Sequence, residues 1–75
     1  MEEIKKRIIT CYNQISNFNI DINTSLSSNL KEELGMTSIL FVYLIFELEK
    51  EFDIQINDIN YYDLDTLKDL IELFS

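Results

Sequence analysis

Ile39-Leu40-Phe41-Val42-Tyr43-Leu44-Ile45-Phe46 is apolar at every position, and Glu47-Leu48-Glu49-Lys50-Glu51-Phe52 follows it without a break. By composition the first run fits a buried strand as well as a helix. The second run decides between them. Leu48 and Phe52 continue a stripe through Phe41, Leu44 and Ile45, a spacing that only a helix gathers on one face. The helix is predicted from near Ser38 to about Phe52. Ile39, Val42, Tyr43 and Phe46 form a second apolar stripe. Either this stripe is core, with the helix sandwiched between others, or it lines a pocket or meets a partner.

Working outward, Ile4, Ile8, Cys11, Tyr12 and Ile15 recur at helical spacing and predict a first helix over about Glu2 to Ile15, with Lys5, Lys6 and Arg7 as its basic cluster. Cys11 falls on the apolar face, the usual place of an inert core thiol. Asn, Ser, Thr and Asp dominate from Ser16 to Ser28, which marks a long loop. Phe18, Ile20 and Ile22 alternate with polar residues there. A lone strand has no partner in this chain, so they are read as anchors of the loop on the core. Asn57 to Asp63 suggests a short helical turn. Leu67, Leu70, Ile71 and Phe74 predict a last helix over about Thr66 to Phe74, capped by Asp65 or Thr66.

Composition narrows the class. The chain has 75 residues, 47% of them hydrophobic, with no proline, one glycine, one cysteine and no histidine. A domain this small buries only about 60% of its unfolded surface, and neither a disulfide nor a common metal-ligand set can staple it. Few turn residues favour helices. A formal net charge of −8 repels nucleic acid and attracts partners with basic patches. The charged start, Met1-Glu2-Glu3, has no apolar signal region, and the longest apolar run is too short for a membrane span. The expectation is a soluble, cytoplasmic monomer.

The segment with chemical content is Glu33-Leu34-Gly35-Met36-Thr37-Ser38-Ile39. Its lone glycine, just ahead of a helix, suggests a backbone position with unusual dihedrals. Thr37 is a good N-cap, which puts Ser38 at the first helical position. Free amides and the helix dipole favour an anion there, so a phosphodiester on Ser38 would be well placed. An ordinary Thr-Ser helix start has the same appearance.

The whole chain resembles the acyl carrier protein family, whose attachment motif reads acidic-Leu-Gly-x-Asp-Ser-Leu. Glu33, Leu34, Gly35, Ser38 and Ile39 fit it, and Leu30 falls where the family has an apolar residue ahead of the motif. Leu44 to Ile56 follows in register without a gap, and the last helix lies at the expected distance. The resemblance implies an all-α four-helix bundle, three longer helices and one short, with a long first loop, and residues 1–75 as a single carrier domain. It implies that a phosphopantetheinyl transferase moves 4′-phosphopantetheine from coenzyme A onto Ser38, flanked by Gly35 and Thr37. The arm's thiol then holds acyl or aminoacyl cargo as a thioester, charged by a loading enzyme and used by a downstream synthase or transferase. The pathway could make fatty acids, polyketides or another specialised metabolite. The protein itself would not be an enzyme. Without histidine, Ser38 has no obvious base and no hydrolase triad.

Some positions depart from the family. Thr37 stands where Asp is usual. Leu40 and Tyr43 lie soon after the serine, where fatty-acid carriers present acidic residues, and Lys50 interrupts the acidic end. Ile39, Leu40, Val42, Tyr43, Phe46, Glu47 and Glu49 are therefore the expected partner-binding residues, on a docking face more apolar than usual. The family stores growing chains between its helices. Tyr61 replaces a small residue there, with Leu70 and Phe74 adding bulk, so little room for a long acyl chain is expected. The rival reading is an acidic helical interaction module without a prosthetic group. Asp21, Asn23, Ser25, Ser27, Asn29 and Glu32 have the oxygen spacing of a calcium loop, but Leu26 stands at its obligatory glycine, so no metal is expected.

Overall fold

The computed structural model describes residues 2–56 and 60–75. Among these are three α-helices, α1 (Glu2–Ser16), α2 (Ser38–Phe52) and α3 (Leu67–Leu73), and one 3-10 turn (Tyr61–Asp63). The fold is the expected helical bundle, and its short fourth element is the 3-10 turn. Residues 57 to 59 of the predicted turn over Asn57 to Asp63 lie outside the described residues.

The core stripe of α2 is as predicted. Phe41, Leu44, Ile45 and Leu48 are buried, and Phe52 packs half-buried against the core. Fully burying one such side chain stabilises a fold by roughly 1.5–3 kcal/mol. On α1 the buried strip is broader than predicted and turned sideways. Ile8 and Tyr12 are buried, but so are Ile9 and Lys5, while Ile4, Cys11 and Ile15 are only half-buried. The cause is packing on two sides, because α1 touches both α2 and α3. Cys11 keeps an inert character: burial first, then the carboxylates of Glu51 and Glu47, push its thiol pKa up.

Helices α1 and α2 end where the backbone turns left-handed. Asn17 follows α1 at φ 65° and Asp53 follows α2 at φ 54°. The Asp53 amide closes α2 on the Glu49 carbonyl.

The long loop is anchored differently from the sequence expectation. Ile20 does pack on the core, its backbone bracketed by the Asn13 side chain at 2.8 and 3.0 Å. Ile22 is exposed, and Phe18 is largely so. The principal anchors are Leu30, Leu34 and Met36, all buried. They gain that role because Asn29 starts a single turn: its side-chain oxygen accepts the Lys31 and Glu32 amides, and its carbonyl accepts those of Glu33 and Leu34. The Tyr12 hydroxyl then donates to the Leu34 carbonyl at 2.7 Å. Burial of Tyr12, with a smaller contribution from Tyr61, pushes its pKa up to about 12. The oxygens of the calcium-like spacing serve turns instead: Asp21 accepts the Asn23 amide and Ser25 that of Ser27.

The start of α3 holds the loop from the other side. Leu67 and Lys68 donate their amides to the carbonyls of Ser28 and Leu26 at 3.0 and 2.9 Å, and Leu30 donates to the Asp65 carbonyl at 2.8 Å. Asn29 and Thr66 form an isolated antiparallel bridge. Thr66 and Asp69 complete a capping box.

A seven-residue helix depends on its cap, because nucleation is unfavourable. Thr66→Ala is expected to lower the unfolding free energy by about 1 kcal/mol in urea melts. The Asp69 carboxyl is held below the usual carboxylate range, chiefly by the amides of Asp65 and Thr66. A depressed native value means its contribution is present above the unfolded pKa and is lost as pH falls through the native one. The urea midpoints of wild type and Asp69→Ala should therefore differ near neutrality and converge in acid. A gap independent of pH would contradict this.

Candidate functional site

Ser38 opens α2 behind Thr37, whose side chain accepts the Leu40 amide at 3.2 Å while its carbonyl accepts that of Phe41 at 2.8 Å. The third and fourth amides of the helix are thus satisfied. Among the described residues, the amides of Ser38 and Ile39 find no protein acceptor, and no side chain bonds the Ser38 hydroxyl. Ser38 is exposed. The contrast with α3 is direct, because its first amides are taken by loop carbonyls and by Thr66. The α2 start keeps two donors and the positive end of a fifteen-residue helix open to solvent.

Gly35 has the predicted special conformation, with φ +73°. It turns the chain from the Asn29–Leu34 turn into Met36-Thr37. A Cβ there would meet Phe18 Cζ at 2.8 Å and Cε2 at 2.9 Å. The Phe18 ring is held 6.1 Å from that of Tyr12. Gly35 is therefore needed for its backbone angle, and a Cβ there would also have to displace the tip of the exposed Phe18 ring. Met36 is buried and donates its amide to the Leu30 carbonyl at 2.9 Å. Its own carbonyl accepts the Tyr61 hydroxyl at 3.2 Å.

The second apolar stripe of α2 is surface. Ile39, Val42, Tyr43 and Phe46 are 66, 63, 59 and 55% exposed. Ser38, Ile39, Val42 and Tyr43 line an open groove of about 310 Å³, and a second of about 330 Å³ runs past Val42, Phe46 and Glu49. Leu40 stands apart from this stripe and packs against the core. Glu47 pairs with Lys50 at 3.2 Å, and the Lys50 ammonium lies 4.9 Å from the Phe46 ring centroid. Glu49 accepts the Ile56 amide at 2.7 Å, which ties down the chain after α2. Both carboxylates thus have partners within the fold, and the face beside Ser38 is apolar.

The family model for a phosphopantetheine attachment site matches residues 6–74. The chain belongs to that family. No curated protein matches it. As a member it carries 4′-phosphopantetheine covalently, and the reading of a module without a prosthetic group falls. The residues present fit the group. An exposed serine hydroxyl free of protein partners stands beside two open amides, where a phosphodiester would be stabilised. When bound, the group would supply a terminal thiol. Around Ser38, Thr37 caps the helix, Gly35 turns the chain into it, and Leu34 and Met36 pin the turn to the core. Among the described residues no helix is long and apolar enough to cross a membrane.

Two contacts near the site carry no signal in the sequence. The Lys31 ammonium lies 4.6 Å from the Tyr61 ring centroid, and the Tyr12 hydroxyl reaches Leu34 across 22 positions. Tyr61 stands out in the sequence by its bulk, but nothing there announces its bond to Met36.

Gly35→Ala should destabilise by more than about 1 kcal/mol, since both the angle and the Phe18 ring oppose a Cβ. Adding Phe18→Ala removes the ring and leaves the angle. The double variant in urea melts should recover part of the loss relative to Phe18→Ala alone, and strict additivity would show that the ring moves aside freely.

Proposed function

We propose that Ser38 is the residue that takes the phosphopantetheine arm, in a single carrier domain over residues 1–75 that catalyses nothing itself and delivers acyl or aminoacyl thioesters to the enzymes of a dedicated biosynthetic pathway. The observation that carries this reading is the state of Ser38: exposed, unbonded among the described residues, and first in a helix whose leading amides are open. In the loading step the Ser38 Oγ forms a bond to the phosphorus bearing the pantetheine. The bond from that phosphorus to the rest of coenzyme A breaks, and the nucleotide leaves as 3′,5′-ADP. The hydroxyl proton goes to a base that the transferase supplies, since no histidine is available in the chain.

Incubation with coenzyme A and a promiscuous phosphopantetheinyl transferase, followed by intact-mass measurement, should add one phosphopantetheine to wild type and none to Ser38→Ala. Gain on the variant would move the arm to another residue. No gain on either protein, with transferases of several classes, would sink the assignment.

The docking face extends the proposal. Ile39, Val42, Tyr43 and Phe46 lie beside the anchor, and the nearest acids, Glu47 and Glu49, are engaged within the fold. Partner enzymes are expected to meet this carrier through a complementary apolar patch, with the net charge of −8 steering the approach. Removing an apolar anchor at the centre of such an interface costs about 2 kcal/mol or more, roughly 30-fold in affinity. Val42→Glu and Tyr43→Glu should leave the thermal midpoint nearly unchanged and raise the KM for the carrier in transferase assays by about that factor. Unchanged kinetics in both variants would remove α2 from the docking surface.

A further inference from the structure

We infer that the open groove lined by Ser38, Ile39, Val42 and Tyr43 seats the first part of the arm itself, the dimethyl segment that follows its phosphate. The inference rests on Ser38 bearing the arm. On a helix, residues four apart form rows with a groove between them. Here Ser38 and Val42 make one row, Ile39 and Tyr43 make the next, and the space they line is about 310 Å³. Its side chains are apolar apart from the Ser38 hydroxyl and the Tyr43 phenol, and Ile39, Val42 and Tyr43 are all well exposed. The attachment residue is thus itself part of the groove wall. The neighbouring groove past Val42, Phe46 and Glu49 has no wall from Ser38.

The chemistry of the arm matches this place. Phosphopantetheine begins with a phosphate, then a methylene, then a carbon bearing two methyl groups, then a hydroxyl and an amide. The dimethyl carbon follows the Ser38 Cβ by a few bonds, about 6 Å at the roughly 1.2 Å per bond of an extended chain. Val42 and Tyr43 follow Ser38 along α2 by about 6 and 7.5 Å at a rise of about 1.5 Å per residue. The two lengths agree. The open amides of Ser38 and Ile39 favour the phosphate at the helix start, which leaves the methyls beside the groove. Packing them against Ile39 and Val42 takes apolar surface of both parties out of water. The short tether holds the methyls at an effective concentration of roughly millimolar, so a contact too weak to form between free molecules forms here. Tyr43 suits the junction that follows, with an apolar ring for the methyls and a hydroxyl for the amide beyond them. A partner that takes the same stripe must lift the arm from it, so docking and release of the arm are coupled.

The test uses carrier loaded to a complete mass shift, with excess transferase, from coenzyme A carrying carbon-13 in the two methyl groups. In wild type these methyls should show NMR cross-relaxation to side-chain protons of Ile39, Val42 and Tyr43, and their shifts should be displaced from those of free coenzyme A. In the double variant Val42→Ser, Tyr43→Ser the contacts should vanish and the shifts return to the free values. Val42→Ser alone gives the same comparison if the double variant does not fold. Free-coenzyme shifts without contacts in wild type would overturn the seat and leave the groove to partner enzymes alone. Contacts to interior methyls of Ile8, Leu30 or Leu44 in place of the groove would overturn it too, as would wild-type contacts in the folded variants. Absence of a mass gain at Ser38 is a failure of the attachment reading alone. The groove is then read with Ser38→Cys in a Cys11→Ser background, alkylated with N-neopentyl iodoacetamide, whose tert-butyl group has a similar reach, by the same contacts and the same criteria.

Discussion

The amides of Leu67 and Lys68, which begin α3, donate to the carbonyls of Ser28 and Leu26 in the loop between α1 and α2. A helix start always leaves its first amides without internal partners. Here they fasten a loop that has little regular structure of its own, and the Leu30 amide returns the bond to the Asp65 carbonyl. From that brace the geometry of the site follows. Leu30 is fixed, so the turn from Asn29 to Leu34 is fixed. Tyr12 holds its far end through the Leu34 carbonyl, and Gly35 then has one direction in which to send the chain. The Thr66–Asp69 capping box therefore acts at a distance on Ser38, because it keeps the α3 amides aimed at the loop.

A second constraint is the size of the chain. Helix α2 is apolar on both faces, and among the described residues α1, α3, the 3-10 turn and the loop are what is set against it. Phe41, Leu44, Ile45 and Leu48 take the covered side, and Ile39, Val42, Tyr43 and Phe46 are left in solvent. Such a stripe carries an aggregation hazard unless it has a use. The surrounding charge limits the hazard, since like-charged copies repel. The same charge leaves the stripe accessible to a partner of opposite potential.

Much of this was legible in the residues. The α2 pattern gave both ends of the helix, because Thr37 has the side chain of a cap and Leu48 and Phe52 keep the helical period. The special backbone angle of Gly35 was legible from its place ahead of a helix, whereas Ser38 stood out only through the family motif, since an ordinary Thr-Ser helix start has the same appearance. The α1 face was read too narrowly, since periodicity shows which residues share a side but not how many neighbours that side has. Ile22 was misplaced for a related reason: an alternating pattern in a loop carries no information about which turn the backbone takes. The exposure of the second α2 stripe could not be decided from sequence, since it depends on how many elements pack around the helix. The Tyr61–Met36 and Tyr12–Leu34 bonds were beyond reach altogether, as both join a side chain to a distant backbone carbonyl, and any residue there would supply one.

An attachment point at Ser38 would have to be held firmly and left accessible, and the two helix starts divide these demands. At α3 the leading amides are consumed by the protein, which gives stiffness. At α2 the cap satisfies the third and fourth amides, and the first two stay open beside Ser38. Closing them with a loop, as at α3, would bury the serine hydroxyl and deny it to a transferase. Leaving all four open would let the first turn fray and blur the position of Ser38. Thr37 sits between these extremes: its hydroxyl and carbonyl hold the turn from within the helix, so the outer side of Ser38 needs no further support. The aspartate usual there in the family would offer the Leu40 amide a charged acceptor; Thr37 makes the bond with a neutral hydroxyl at 3.2 Å, in a short bundle whose α2 start is also braced by Tyr12, Met36 and the start of α3.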